Sequence, residues 1–183
     1  FKLGDDGDCF LKAVESLYAY GGVLEHPADS KAWDYFGITK PPRAGGWVAD
    51  IHWVEREIQR MGMRAQDAER VRANAIANAT EWSCCVYQGK YGHLAGKPTW
   101  LLASGMTREQ LPALRWGKTE QRIHPRALEL HGYEKARRIG MMAMVGGKDK
   151  TRIRNTTPPE FRDVLLSLAR LVDGRALKRA IWG

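Results

Sequence analysis

No apolar run in this sequence approaches the roughly 20 residues that a membrane-spanning helix requires. The first residues, Phe1 to Asp6, also lack the basic-then-apolar layout of a signal peptide. We therefore expect a soluble, intracellular protein with no membrane partner. Because the first residue is Phe rather than Met, either a segment was processed off or the sequence starts within a longer chain, of which we expect it to be the C-terminal portion.

Cysteine is scarce, and the histidines are not paired. The 3 cysteines form neither an even disulfide framework nor a Cys-x-x-Cys pair, and adjacent residues such as Cys84 and Cys85 rarely bridge each other, so we expect reduced thiols. On a strand, alternation would bury one of these two side chains and expose the other. No metal site is predicted, because no His-x-x-x-His or similar spacing joins the 5 histidines, which are His26, His52, His93, His124 and His131.

The overall composition suits one globular domain: 183 residues, of which 44% are hydrophobic and 27% charged. Lysine and arginine outnumber the acids 29 to 21, which gives a net charge of +8. A surplus of this size favours polyanionic partners through counterion release, although ordinary basic proteins share it. Nucleic acid as a partner and a basic but unrelated surface both remain open at this point.

The start of the chain predicts a helix followed by a strand. Residues 8 to 20 have helical apolar spacing, with Asp8 placed as N-cap and Gly21-Gly22 as the stop. Val23-Leu24 then form a short apolar strand that ends in Glu25-His26-Pro27. This order is typical of half a βαβ crossover, so we expect Glu25 at the carboxyl end of a parallel strand, where ligands bind in open α/β sheets.

The remaining pattern predicts further elements around that strand. Residues 37 to 47 are rich in Gly, Pro and basic side chains and predict an exposed loop. One or two exposed helices, broken near Gly62, are expected as an insertion at residues 48 to 80, and a hairpin is expected with strands at 82 to 88 and 99 to 103. Residues 115 to 155 predict a basic, irregular segment, and Thr157 opens a final helix that we expect to end at Gly174.

Four short blocks carry a resemblance to a known family. They are Gly21-Gly22-Val23-Leu24-Glu25-His26-Pro27, Gln88-Gly89-Lys90-Tyr91-Gly92, Lys97-Pro98-Thr99-Trp100-Leu101 and Thr157-Pro158-Pro159-Glu160-Phe161-Arg162. In this order the blocks resemble the later half of phage-type proteins related to DNA cytosine-5 methyltransferases. In that family a strand ends in Glu-Asn-Val or Glu-Asn-Pro, a hairpin follows, and a late helix packs back on the cofactor domain.

The resemblance implies a role for Glu25. It would match the family's glutamate that hydrogen-bonds N3 of a flipped cytosine, while a cysteine thiolate adds to C6 before methyl transfer from S-adenosylmethionine. Burial at a strand end would raise the pKa of such a carboxyl group and help it hold a proton near the base. The alternative is a strand-end acid that pairs with a nearby arginine.

Three departures from the family bear on this role. Cys9 lies inside the predicted helix and not in the family's Pro-Cys loop, and the Gly-rich turn that binds the cofactor is missing. Both features, and therefore most of the S-adenosylmethionine site, would lie upstream of residue 1, or would be missing altogether if the protein is a degenerate relative. His26 stands where the family usually has Asn.

Further candidate contacts follow from the same resemblance and from charge. For shaping the base pocket we single out His26 and four residues around the hairpin turn, which are Gln88, Tyr91, His93 and Lys97. For the four turn residues, simple turn chemistry is the alternative. For the DNA backbone we single out basic side chains that would otherwise be solvated surface; these are Lys40, Arg43, Arg137, Arg138, Lys148, Lys150, Arg152 and Arg154.

Together these observations predict a single α/β domain, with a partial Rossmann-like methyltransferase sheet, a β-hairpin, added helices and a C-terminal helix. The first functional hypothesis is a DNA cytosine-5 methyltransferase-like protein of a bacterial or phage-infected cytoplasm, active if the upstream half is present. The second is a non-catalytic phage DNA-binding or assembly protein that kept the fold. The third is an enzyme of the same fold that acts on another base or on a free nucleotide.

Overall fold

The computed structural model describes residues 7–120 and 122–172. They form a mixed α/β fold built on one four-stranded sheet with strand order β1-β4-β3-β2. The strands are β1 Gly22–Pro27, β2 Trp47–Ala49, β3 Glu81–Tyr87 and β4 Pro98–Ser104. The helices are α1 Cys9–Tyr20, α2 Lys31–Tyr35, α3 His52–Met61, α4 Ala65–Ala77, α5 Pro125–Ile139, α6 Gly147–Asn155 and α7 Pro159–Ala169.

The sheet is antiparallel at each of its three pairings, which differs from the parallel strand that we expected for Glu25. β1 pairs with β4, with Glu25 opposite Leu101, and β4 pairs with β3 as the two arms of the hairpin. In an antiparallel sheet the carboxyl end of β1, the start of β4 and the end of β3 meet at one end. That end of the sheet therefore brings the end of β1 next to the two hairpin arms, which lie much further along the chain.

Helices cover both faces of the sheet. On the face that carries Leu101 and Cys84, α7 inserts Phe161 and Leu168; we call it the α7 face. On the opposite face, α1 and α2 contribute Val14, Leu17 and Trp33, which pack with Cys85, Trp100 and Leu102; we call it the α1 face. The helical pair α3 and α4 has a small core of its own around Val54, Ile58 and Ala68.

Several local predictions are confirmed by the elements that form. The first helix ends where the glycine pair begins, because Gly21 takes a positive φ of 69° and its N–H bonds the carbonyl of Leu17. The break at Gly62 separates α3 from α4, again at a left-handed backbone position with φ 58°. Asp8 is the N-cap of α1, but its side chain makes no capping hydrogen bond.

Other segments differ from the expectation. The loop predicted at 37 to 47 is partly packed, since Ile38 and Trp47 are buried and Trp47 opens β2. The basic segment at 115 to 155 contains two helices, α5 and α6, where we expected irregular structure. The last helix begins at Pro159 and ends at Ala169, so it is shorter than predicted, and Gly174 lies outside the described residues. None of the helices in the described ranges is long and apolar enough to cross a membrane.

Candidate functional site

The side chain of Glu25 lies on the α7 face near the end of β1 and is half-buried. Its Oε1 accepts a hydrogen bond of 2.9 Å from Nε2 of Gln88, which comes from the end of β3. The two residues are 63 positions apart in the sequence. The antiparallel pairing of β1, β4 and β3 brings them together, and the carboxylate is thereby held in one orientation.

Gln88 is fully buried and anchors this group of polar side chains. Its Nε2 also donates to the hydroxyl of Thr99 at 3.0 Å, and that hydroxyl donates to the carbonyl of Lys97 at 3.1 Å. Within the described residues the other amide atom, Oε1 of Gln88, has no hydrogen-bond partner. An unsatisfied buried acceptor costs about 1–3 kcal/mol.

Lys97 places a cation next to Glu25 at the start of β4. Its backbone takes a φ of 41°, a left-handed conformation that is uncommon for residues other than glycine and that concentrates at functional positions. Burial lowers the pKa of the Lys97 ammonium, and the nearby Glu25 carboxylate opposes that shift. The ammonium group donates to the carbonyl of Thr156 at 3.1 Å, at the C-cap of α6.

His93 and Tyr91, both predicted as pocket residues, are engaged in bonds within the chain. The ring of His93 is buried, with Nε2 2.9 Å from the carbonyl of Ile153 and Nδ1 accepting from the Ala95 N–H at 3.0 Å. The hydroxyl of Tyr91 accepts from the Arg115 N–H at 2.9 Å, and its ring packs 5.2 Å from that of Phe161. These contacts make His93 a tie between the hairpin connection and α6, and Tyr91 part of the core.

His26 lies away from the Glu25 group. It is the next residue along β1 and points to the α1 face, where its ring lies 4.6 Å from Phe10 and 6.2 Å from Trp33, centroid to centroid. Its Nε2 is 2.8 Å from the hydroxyl of Ser30. The structure therefore does not bring together the two consecutive residues, Glu25 and His26, that the sequence placed at one site.

The basic residues fall into two regions. Lys40 and Arg43 lie between α2 and β2, where they pair with Asp34 and Asp29. The others lie on α5 and α6, where Arg137 pairs with Glu134 at 3.7 Å and Arg152 with Asp149 at 3.2 Å; they are Arg137, Arg138, Lys148, Lys150, Arg152 and Arg154. Since His93 and Lys97 bond the carbonyls of Ile153 and Thr156, the C-terminal end of the basic helix α6 lies beside the hairpin connection that carries Lys97.

The thiols are not placed for chemistry at Glu25. Cys84 and Cys85 are both fully buried, so the prediction that one of them is exposed is wrong: α7 covers one face of β3, and α1 and α2 cover the other. Burial raises the pKa of both thiols. Cys9, at the first turn of α1, is exposed. Among the described residues no group of three histidine, cysteine, aspartate or glutamate side chains could hold a metal ion.

Sequence reasoning found Glu25, Gln88 and Lys97 but missed Thr99, the residue that links them. The signal was present in the alternation of β4, because Thr99 lies two residues from Leu101 and therefore on the same face of the sheet as Glu25. Comparisons with family models, with curated proteins and with solved structures found no match for this chain.

Proposed function

We propose that this chain is the base-recognition part of a DNA cytosine-5 methyltransferase-like protein, in which Glu25 contacts N3 of a cytosine extruded from the double helix. The observation that carries the proposal is a half-buried carboxylate, oriented by the buried amide of Gln88, that lies beside a basic helix. Enzymes that act on a base in duplex DNA read the extruded base by hydrogen bonds to its Watson–Crick edge. A carboxyl group that can share a proton with N3 suits cytosine.

The contacts of Glu25 support this role. Gln88 engages Oε1, and we propose that the second carboxylate oxygen faces the base. The ammonium of Lys97 lies close enough to interact with the same carboxylate. Because Gln88 and Lys97 are themselves anchored by Thr99 and Thr156, the carboxylate would need little reorganisation when a base arrives.

The basic helix beside this group supports DNA as the partner. Lys148, Lys150 and Arg154 of α6 are exposed, and no acid among the described residues forms an ion pair with them. We propose that these cations contact phosphates that flank the extruded nucleotide. Such contacts position a protein on DNA without reading its sequence.

The order of elements supports the finer fold interpretation, a partial Rossmann-like methyltransferase sheet. A strand ending in a glutamate, β1, is followed by a hairpin, and the late helix α7 packs back against β1. Helices cover β1 on both faces, yet its outer edge carries no strand within the described residues. We infer that a cofactor-binding half would add its strands at that edge.

The residues described do not themselves fit S-adenosylmethionine. No Gly-rich turn leads from a strand into a helix among them, and the thiol on the face of Glu25, Cys84, is fully buried. The cofactor and the nucleophilic thiol would therefore belong to a part of the protein outside these residues. The present chain would hold and orient the base and grip the phosphates.

The test has a binding arm and a catalytic arm. We expect the chain to bind duplex DNA more tightly when the target cytosine faces an abasic site, because extrusion then costs less. Glu25→Gln should remove that preference and keep the salt-dependent binding, whereas the exposed control Glu129→Gln should change neither. In protein that includes any upstream half, methyl transfer from labelled S-adenosylmethionine should fall on the order of 100-fold or more with Glu25→Gln. An unchanged preference or rate in that variant would refute the role of Glu25.

A non-catalytic phage DNA-binding or assembly protein is the second candidate. The exposed cations of α6 favour it, together with the lack of an accessible thiol or a cofactor turn beside Glu25 in the described residues. It predicts salt-sensitive DNA binding with no preference for an extrudable base. It also predicts no affinity for S-adenosylmethionine in protein that contains any upstream segment.

A further inference from the structure

A cleft of about 720 Å³ follows the outer edge of β2, which is the edge strand at the other end of the strand order from β1 and Glu25. Its lining includes all three residues of the strand, Trp47, Val48 and Ala49. Side chains of consecutive strand residues point to opposite faces, so a cleft that touches all three has to run along the backbone edge. The cleft is therefore shaped by an open strand edge and not by one face of the sheet.

The register of β2 determines which backbone groups point to that edge. The Asp50 N–H donates to the carbonyl of Glu81 at 2.8 Å, so Val48, two residues earlier, also belongs to the hydrogen-bonded pairs with β3. The backbone groups of Trp47 and Ala49 then point outward. The outward groups are the N–H and the C=O of Trp47 and the N–H and the C=O of Ala49. Among the residues described, only the Ala49 carbonyl has a backbone partner, the Ile51 N–H at 3.2 Å. Two donors and one acceptor remain for an added strand.

The walls of the cleft are mainly apolar, and its rim carries one exposed cation, Arg108, that forms no salt bridge in the described part of the chain. Ile76 from α4 is 47% exposed there. The acids at the rim, Asp34 and Glu55, each have a basic partner within the chain. The neighbouring Glu109 carboxylate interacts with Arg108, whose guanidinium lies 5.9 Å from the ring centroid of Trp82.

We propose that this cleft binds an extended peptide of a partner protein, which adds to β2 as a further strand. Backbone pairing would supply affinity, an apolar side chain would fill the cleft, and a carboxylate would meet Arg108. Single-stranded nucleic acid fits less well, because it needs exposed ring faces and the two indoles, Trp47 and Trp82, are only 8% and 4% exposed. The site shares no residue with the Glu25 group, so it stands whether or not the proposed function holds.

The probe is a fluorescein-labelled, capped pentapeptide, Thr-Val-Glu-Val-Thr, titrated with the 183-residue chain and followed by fluorescence anisotropy. Strand addition predicts that N-methylation of alternate peptide amides weakens binding by about tenfold or more, while methylation of the amides between them does not. Arg108→Gln and Ile76→Ser should each weaken binding by about fivefold. The matched exposed controls Arg126→Gln and Leu128→Ser, both on α5, should leave it unchanged.

Three results would overturn the proposal. One is the lack of saturable peptide binding up to about 1 mM chain. Another is a methylation series without alternation, which would indicate a groove that holds side chains only. The third is displacement of the peptide by an oligothymidine whose own binding is weakened by Arg108→Gln. That result would assign the cleft to nucleic acid.

Discussion

Replacing Gln88 by glutamate tests the arrangement around Glu25 directly. The substitution keeps the size and shape of the side chain but puts a second carboxyl group where the amide now donates to Glu25 Oε1 at 2.9 Å. Because Gln88 is 0% exposed, water cannot solvate the new charge. Like charges this close raise the pKa of one partner, so the protein would keep the introduced carboxyl protonated.

The free-energy cost of keeping the introduced carboxyl protonated sets how much stability Gln88→Glu loses. For each pH unit above the unfolded-state pKa of about 4.3, keeping the carboxyl protonated lowers the free energy of unfolding by about 1.36 kcal/mol. The largest possible loss is therefore about 1.0 kcal/mol at pH 5 and about 3.7 kcal/mol at pH 7. The sign follows from the raised folded-state pKa: the variant is near wild-type stability close to pH 4 and loses stability as the pH rises from the unfolded-state pKa toward the folded-state pKa. The protonated carboxyl still donates to Glu25 at low pH, which keeps the residual cost small.

Urea unfolding at pH 5, 6 and 7, for wild type and Gln88→Glu, measures the difference in the free energy of unfolding. The exposed control Gln59→Glu, on α3, should stay within about 0.5 kcal/mol of wild type at each pH. A difference for Gln88→Glu that does not grow with pH, or that stays below about 1 kcal/mol at pH 7, would show that this amide does not face Glu25 in a buried setting.

Three further predictions concern the same core. Thr99→Val keeps the shape of a fully buried side chain but removes its bonds to Gln88 and Lys97, so urea unfolding should show a loss of about 1–3 kcal/mol; a wild-type value would exclude the link. Phe161→Ala, in the core under α7, should cost about 3–5 kcal/mol by the same measurement, whereas the exposed Leu166→Ala on the same helix should cost far less. With a thiol reagent, only Cys9 should react in the folded protein, and the other two thiols only after unfolding; rapid reaction of two or three would contradict the burial of β3.

Local features of the fold followed from the sequence because they depend on neighbours along the chain. Apolar spacing predicted α1, and the glycines at 21 and 62 marked helix ends because they take left-handed backbone conformations. The hairpin was visible as two apolar runs joined by a Gly-rich connection. The same local reasoning missed α5, which is interrupted at Gly132 by a non-helical φ of 71°, and α6, where charged residues outnumber apolar ones.

For the candidate site, the sequence by itself determined which chemical groups are available: a glutamate at a strand end, an amide and a lysine around a hairpin turn, and a run of cations near residue 150. Only the tertiary structure decided which of them meet. The antiparallel pairing of β1 with β4 and of β4 with β3 brought Glu25 to Gln88, and helices on both sides buried Cys84 and Cys85 together. The physical reason is that a side chain's partner depends on strand register and on the covering layers, which join segments as far apart as 63 residues and leave no signal in local spacing.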